Sequence, residues 1–257
     1  FQMHGSDLLS LLEAVKQGQT SPSQAAAHIG QSLRDDTLKG LTLDRARSIR
    51  TGLGEVVFAP GKSPDRLITA MGRLGETAPV MATRLSPEQA ELLTVTFPKG
   101  LLWPQARLFV LNQDLGPEPE EQFISEAPEL AVVTAGSSDI PVALEALGSA
   151  RFFGLDPAFV CDVGVAGIHR LGPHLETLCN CKLLIVCAGM EGALPSVVSG
   201  LTGRPILAVP TSIGYGVSAH GITALMSMLS SCSPGIAAVN IDNGFGAAAM
   251  AKKILKG

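Results

Sequence analysis

Five apolar segments in the second half of the chain each run into a loop rich in Gly, Ser, Asp or Asn. In a parallel α/β sheet such loops all leave the carboxyl edge of the strands. Glycine lets the backbone approach a ligand closely, and the helix N-termini that follow attract anions such as phosphate. The pattern predicts a site for a phosphorylated or nucleotide-like ligand. The loops are Ala135-Gly-Ser-Ser-Asp139, Val163-Gly-Val-Ala-Gly167, Ala188-Gly-Met-Glu-Gly192, Pro210-Thr-Ser-Ile-Gly-Tyr-Gly216 and Asp242-Asn-Gly-Phe-Gly246.

Two side chains in the second half of the chain are of the types used in covalent and acid–base catalysis. Glu191 lies in the third loop, and Cys232 lies in the segment Ser231-Cys-Ser-Pro234. A thiolate is a strong nucleophile, and a positioned carboxylate transfers protons. The residues alone leave a second interpretation open for each. Cys232 is then an inert cysteine, and Glu191 a first-turn carboxylate that stabilises its helix.

Three further groups carry chemistry with open alternatives. The pair His169-Arg170 is either a phosphate contact or part of an exposed helix surface. Asp242-Asn243 fits a ribose contact, Mg²⁺ ligands or an Asx turn. The spacing Cys179-x-Cys181 is typical of metal ligands, but no further Cys or His follows at ligand spacing, which favours coincidence.

Several function classes are excluded. The chain has no G-x-x-x-x-G-K-S/T loop, and Gly164-Val-Ala-Gly167 lacks the dinucleotide spacing G-x-G-x-x-G. With 19 Lys+Arg against 23 Asp+Glu, the chain lacks the positive charge that nucleic-acid binding needs. Its longest apolar stretch, Leu183 to Ala188, is too short for a membrane span. Five cysteines without a signal-peptide pattern predict a reduced, cytoplasmic protein.

The elements that position these residues fall into two parts. Only 14 of the 42 charged residues lie after residue 130, and the acidic run Pro117 to Glu121 precedes this change. We predict an N-terminal α/β domain over residues 3–125 and a catalytic domain over residues 126–257. In the second part, strands alternate with helices, which favours a three-layer α/β fold whose parallel sheet is covered on both faces. In the smaller first part, we expect strands near residues 55–58, 79–83 and 106–111, and helices that begin near residues 22, 64 and 86.

Several of these strings resemble one family. They are Thr134-Ala-Gly-Ser-Ser-Asp-Ile-Pro-Val142, Asp162-Val-Gly-Val-Ala-Gly-Ile-His-Arg170, Ala188-Gly-Met-Glu-Gly-Ala-Leu-Pro-Ser196, Val209-Pro-Thr-Ser-Ile-Gly-Tyr-Gly216, Ser231-Cys-Ser-Pro-Gly235 and Asn240-Ile-Asp-Asn-Gly-Phe-Gly246. Together they resemble the LarB family of nickel-pincer cofactor biosynthesis proteins, relatives of the PurE-type aminoimidazole ribonucleotide (AIR) carboxylases. In the first half, the segments Arg50 to Lys62 and Met81 to Arg84 look like the same family. The resemblance covers nearly the whole chain, and it implies a flavodoxin-like, PurE-like fold.

The resemblance implies an enzyme that carboxylates C5 of the pyridinium ring of nicotinic acid adenine dinucleotide. Phosphoanhydride hydrolysis would then give pyridinium-3,5-biscarboxylic acid mononucleotide and AMP. CO₂ or bicarbonate would be the co-substrate, with no tightly bound cofactor and with Mg²⁺ left open. By motif, Cys232 is the implied covalent nucleophile and Glu191 the implied acid/base residue. The implied substrate-binding residues are Ser137, Ser138, Asp139, Gly164, His169, Arg170, Gly189, Met190, Thr211, Ser212, Tyr215, Asp242 and Asn243.

This sequence departs from the family pattern at two places. His220 stands where relatives have a small residue, and Cys232 is flanked by Ser231 and Ser233 rather than by Asn and Ala. The first departure bears on substrate contacts near Tyr215.

The implied chemistry agrees with the residue types. A pyridinium ring is electrophilic and does not attack CO₂. Addition of a thiolate converts the ring to a dihydropyridine whose C5 is nucleophilic. C5 can then take up CO₂, a base removes its proton, and the thiolate leaves.

The resemblance also implies a homo-octamer with active sites between subunits. Cys232 precedes the fifth strand, so chain direction predicts it at the amino edge of the sheet, away from the glycine loops. A five-residue strand spans roughly 17 Å, so a second subunit would have to bring thiol and loops together. Two other functions stay open. One is an AIR carboxylase or mutase, which the sequence Ala193-Leu-Pro-Ser196 disfavours because it replaces that family's histidine-bearing loop. The other is a nucleotide-binding regulatory module without catalysis.

Overall fold

A computed structural model describes residues 5–32, 36–38, 41–44 and 47–256. The chain divides into two units. The first comprises Phe1–Leu102 and Leu108–Asp114, and the second comprises Trp103–Arg107 and Leu115–Gly257. No helix within the described ranges combines the length and the apolar character needed to cross a bilayer.

The first unit contains a four-stranded sheet with helices. Its elements are α1 Gly5–Lys16, α2 Pro22–Ser32, β1 Asp36–Leu38, β2 Leu41–Leu43, α3 Arg47–Thr51, β3 Val56–Phe58, α4 Pro64–Gly75, β4 Val80–Thr83, α5 Pro87–Thr96, β5 Leu101–Trp103 and β6 Leu108–Leu111. The strand order is β3-β4-β6-β5, with β3 parallel and β6 antiparallel to β4. The expected strands and helices are confirmed. The antiparallel pair β1–β2 and the short β5 were not predicted from the sequence, because three-residue strands leave too little periodicity to detect.

The second unit alternates strands and helices. Its elements are β7 Leu130–Thr134, α6 Ile140–Phe152, β8 Ala158–Val160, α7 Leu175–Asn180, β9 Leu183–Ala188, α8 Leu194–Thr202, β10 Ile206–Pro210, α9 Ile222–Leu229, β11 Ile236–Ala238 and α10 Gly244–Lys256. Short 3₁₀ segments precede α6, α7 and α9, at Ser137–Asp139, Val165–His174 and Gly216–Gly221.

All neighbouring strands in this second sheet are parallel, in the order β11-β10-β9-β7-β8. Helices α6 and α10 pack on one face, and α7, α8 and α9 cover the other. The three-layer α/β fold predicted from the sequence is thus confirmed. The order matches the doubly wound arrangement in which the chain changes direction between its first and third strands, here β7 and β9. Ligands bind such sheets at the carboxyl edge beside that switch point.

The amino edge of the same sheet is held by an ion-pair cluster. The Glu129 carboxylate, just before β7, bonds Lys182 before β9, and it bonds Lys256 Nζ in the last turn of α10 at 2.9 Å. These two cations lower the pKa of Glu129 from 4.5 to about 2, chiefly through the hydrogen bond from Lys182. The cluster therefore ties the starts of two central strands to the C-terminal helix.

We predict that Glu129→Gln removes an acid-sensitive contribution to stability. Because the folded state lowers the pKa of Glu129, its contribution is fully present above about pH 4.5 and is lost as pH falls towards 2. Urea unfolding at several pH values should show the variant and the natural protein converging on acidification. Glu126→Gln, at a nearby exposed carboxylate, is the control. A difference that stays constant over that pH range would contradict the prediction.

Candidate functional site

The Asp139 carboxylate joins three of the five loops at the carboxyl edge. Asp139 is only 3% exposed. One of its oxygens accepts a hydrogen bond from Thr211 Oγ1 at 2.5 Å, and the other accepts the Gly136 N–H at 2.9 Å. The Gly189 N–H also bonds to this carboxylate. Burial raises the pKa of Asp139, and these three donors oppose that rise. Because a buried carboxyl group without hydrogen-bond partners costs free energy, Asp139 keeps the β7, β9 and β10 loops at fixed positions relative to one another.

The two outer loops are attached to this centre by similar bonds. The Asp162 N–H after β8 donates to Thr134 Oγ1 of β7 at 2.9 Å. The Asp242 carboxylate after β11 accepts the Ser212 N–H at 2.8 Å. All five loops therefore form one laterally bonded layer.

Backbone strain concentrates at the same edge. Asp162, Met190 and Asp242 adopt left-handed backbone angles, with φ of 56°, 54° and 55°. Residues other than glycine rarely take up this conformation, which functional sites often retain. At Gly189 a Cβ atom would lie 2.5 Å from the Ile213 carbonyl oxygen and 2.6 Å from Thr211 Oγ1. Gly189 is therefore required by close packing between two loops.

The predicted phosphate contacts stand open to solvent. Ser137 and Ser138 are exposed at the start of α6, and His169 and Arg170 are exposed on the segment after β8. The Arg170 guanidinium forms an ion pair with Asp162. A Cβ on Gly167 would lie 2.6 Å from Arg170 Nε, so this glycine leaves room for the guanidinium to lie against the loop.

The remaining predicted residues divide between framework and surface. Gly164 and Thr211 are buried in the layer, and Ser212 is held by Asp242. Asn243 Oδ1 accepts the Gly246 N–H at 2.9 Å, so this side chain caps the start of α10. Met190 and Glu191 lie exposed between β9 and α8. Tyr215 projects from the β10 loop with 81% of its surface exposed.

Cys232 lies closer to these loops than chain direction predicts. Helix α9 has eight residues and rises about 12 Å, so it ends before reaching the amino edge. The chain then runs beside α8, and Ser231 Oγ lies 2.7 Å from the Oγ of Ser196, which is in the first turn of that helix. Only at Gly235 does it reach the start of β10, where the Gly235 carbonyl accepts the Ile206 N–H at 2.9 Å. The structure thus corrects the amino-edge position of Cys232, which lies beside the first two turns of α8.

The cysteines differ in their exposure to solvent. Cys232 is exposed, whereas Cys181 and Cys187 are buried. Burial raises the pKa of Cys181 to about 11 and that of Cys187 well above its ordinary value. Burial also raises the pKa of the half-buried Cys161. No three His, Cys, Asp or Glu side chains in the described ranges gather in a way that would hold a metal ion.

One buried carboxylate was absent from the sequence prediction. Glu145, in the middle of α6, is 4% exposed, and its Oε2 accepts the Phe245 N–H at the start of α10 at 3.3 Å. Its position in the apolar run Val142-Ala-Leu-Glu-Ala-Leu147 was a usable signal, because a charge there must be buried with a partner. Asp139, Glu145 and Asp242 all lie near enough to Cys187, close to the end of β9, to add to the rise in its pKa that burial causes.

Comparisons with known proteins match both units. Residues 36–113 match the LarB/PurE-like N-terminal domain, and residues 129–257 match the AIR carboxylase domain. An uncharacterized protein of Methanocaldococcus jannaschii, MJ0165, is 39% identical over 98% of both chains. The N5-carboxyaminoimidazole ribonucleotide mutase of the same organism is 34% identical over 49% of this chain and 78% of its own. The crystal structure of Treponema denticola PurE covers 49% of this chain and 78% of its own, with 25% identity and a TM-score of 0.39.

We predict that Asp139→Ala lowers the free energy of unfolding by about 2–4 kcal/mol, because two loop N–H groups lose their buried acceptor. Thr211→Val removes one donor and should cost about 1 kcal/mol. Urea denaturation monitored by circular dichroism measures both. Thr211→Ser, which keeps the hydroxyl, is the control. Equal stability of Asp139→Ala and the natural protein would show that the carboxylate does not hold the layer together.

Proposed function

This chain belongs to the family in which a LarB/PurE-like N-terminal domain precedes an AIR carboxylase domain, and we propose that it carboxylates nicotinic acid adenine dinucleotide. The domain matches confirm the family and support a carboxylase-type enzyme. In the proposed reaction, C5 of the pyridinium ring gains a carboxyl group and the phosphoanhydride is hydrolysed. The products are pyridinium-3,5-biscarboxylic acid mononucleotide and AMP, which makes this the first step of nickel-pincer cofactor biosynthesis.

The observation that carries the proposal is the relation of Glu191 and Cys232 to α8. Glu191 is exposed on the loop that follows β9, a strand at the switch point, and α8 begins three residues later. Cys232 is an exposed thiol on the segment that packs along this same helix. A nucleophile and a proton-transfer group are thus attached to one rigid element.

In the proposed mechanism, the Cys232 thiolate forms a C–S bond to the pyridinium ring, and a displaced π pair of the ring moves onto the nitrogen, which donates it towards C5. C5 attacks CO₂, which forms the new carbon–carbon bond. Glu191 then takes the C5 proton, and the electrons of that C–H bond restore the aromatic ring as the thiolate departs. Serine in place of Cys232 would be a poor substitute because an alkoxide is a harder nucleophile and a worse leaving group.

The dinucleotide would lie across the layered loops. Ser137 and Ser138 at the start of α6 suit one phosphate, since their hydroxyls are exposed beside a helix N-terminus. Arg170 supplies the positive charge for a second contact, in exchange for its ion pair with Asp162. The buried Asp139 serves the framework, because Thr211, Gly136 and Gly189 already engage its carboxylate.

A second candidate is the AIR carboxylase or mutase reaction, which the mutase relative at 34% identity favours. That chemistry needs a histidine-type proton handler. Ala193 precedes α8, Leu194 to Ser196 form its first turn, and none of these residues is a histidine. The thiol would have no role in such a reaction, so the two candidates differ in their dependence on Cys232.

We further propose that the active sites form between subunits of a homo-octamer. Large apolar side chains stand exposed along the β10 loop and α9, next to the segment that carries Cys232. They are Tyr215, Val217, Ile222, Met226 and Leu229, with exposed fractions of 81%, 89%, 49%, 62% and 64%. An exposed patch of this kind is typical of an interaction surface, and a second copy seated on it would add its own side chains to the site beside Glu191 and Cys232.

The proposed reaction is tested by incubating the protein with nicotinic acid adenine dinucleotide and labelled bicarbonate, followed by mass analysis of the small molecules. We expect a labelled mononucleotide and AMP. Cys232→Ser should fold normally and lose the reaction, whereas Cys179→Ser, at a half-buried cysteine, should keep it. A parallel incubation uses aminoimidazole ribonucleotide. Product from that substrate alone, or an unimpaired Cys232→Ser variant, would overturn the proposal.

The subunit arrangement is tested by mixing variants. Cys232→Ser and Glu191→Gln should each lose activity alone, with a rate loss of roughly 10²-fold or more for the second. Because Glu191 and Cys232 are attached to the same α8, both residues of one site should come from one subunit, and co-refolded mixtures should stay as inactive as their components. Size-exclusion chromatography verifies assembly. Regained activity would place the two residues of one site on different subunits, and a fully active monomer would contradict intersubunit sites.

A further inference from the structure

The segment that carries Cys232 is fixed to α8 by paired serine hydroxyls. Ser196 Oγ lies 2.7 Å from Ser231 Oγ, and one turn further along the helix Ser233 donates to Ser199 Oγ at 2.7 Å. Ser199 in turn donates to the Pro234 carbonyl at 3.2 Å. Ser199 is 4% exposed, and the other three serines are half-buried. We call Ser196, Ser199, Ser231 and Ser233 the serine ladder.

The serine ladder holds the chain on both sides of the thiol. Ser196 and Ser199 are three positions apart and therefore share one face of α8. Ser231 and Ser233 bond to that face, and Cys232, which lies between them, is exposed. The Ser233 N–H also donates to Ser231 Oγ at 3.2 Å, which closes the segment on itself. An otherwise exposed stretch is thus held in one conformation.

We propose that Ser196 and Ser199 are positioning residues for Cys232, an inference that rests on the proposed covalent role of that thiol. Addition to a ring atom needs the sulfur at about 3–3.5 Å with the correct approach, and an error of about 1 Å costs up to roughly 10²-fold in rate. The two serines touch neither the ring nor the reacting atoms. They act by limiting the positions that Cys232 samples relative to α8.

The test compares the double variant Ser196→Ala/Ser199→Ala with the natural protein. Hydrogen exchange followed by mass spectrometry measures the mobility of residues 230–235, and steady-state kinetics measures kcat and KM for dinucleotide carboxylation. Ser196→Ala alone is a milder variant at a half-buried position. Ser196→Thr keeps the hydroxyl and tests rescue. The matched control is Thr202→Val, on the same helix, because Thr202 Oγ1 bonds only to Val198 O and the Arg204 N–H among the described residues.

We expect the double variant to exchange faster at residues 230–235 only, and to lose about 10–100-fold in kcat while KM changes less than about 3-fold. Ser196→Thr and Thr202→Val should stay near the natural values. Unchanged exchange in the double variant would show that the ladder does not hold the segment. Faster exchange with unchanged kcat would overturn the positioning role. If the natural protein itself lacks the carboxylation, the proposed function fails and the positioning role with it, whereas the exchange result still decides whether the ladder anchors the segment.

Discussion

A buried carboxyl group sets the geometry of the carboxyl edge. Asp139 is stable at 3% exposure only because a threonine hydroxyl and two backbone N–H groups from three loops converge on it. Displacing any of these loops would leave the carboxyl group or its donors without partners. The outer loops depend on the same centre through Thr134 and Asp242. The exposed residues proposed to bind substrate therefore stand on a backbone that has little freedom to move.

Much of the second unit could be predicted from the sequence. Its strands are nearly continuous apolar runs, and each is followed by a glycine loop and a helix, a pattern that few folds other than a covered parallel sheet produce. The strand order β11-β10-β9-β7-β8 then places the β7 and β9 loops at the switch point. The loops that carry Ser137, Ser138 and Glu191 could be found in this way, because their position follows from local pattern and chain direction alone.

Other features depend on contacts between residues far apart in the chain. The bond from Thr211 to Asp139 spans 72 positions, and the pairing of Ser196 with Ser231 spans 35. No local pattern encodes either contact. For this reason the sequence does not reveal that both carboxylate oxygens of Asp139, a predicted substrate contact, accept hydrogen bonds from the protein, and it predicts Cys232 at the amino edge. The length of α9, rather than the strand order, decides where the thiol lies.

The lateral bonding of the loops also bears on how such a scaffold can change. Gly189 admits no side chain, and Asp162, Met190 and Asp242 keep left-handed backbones, so insertions or backbone shifts at these points would disturb several loops at once. Four exposed side chains take no part in these contacts between loops, namely those of Ser137, Ser138, His169 and Tyr215. New ligand preferences would therefore arise by exchanging side chains on an unchanged backbone. At this edge, the exposed side chains can be exchanged, whereas the loop backbone and its lateral hydrogen bonds must be retained.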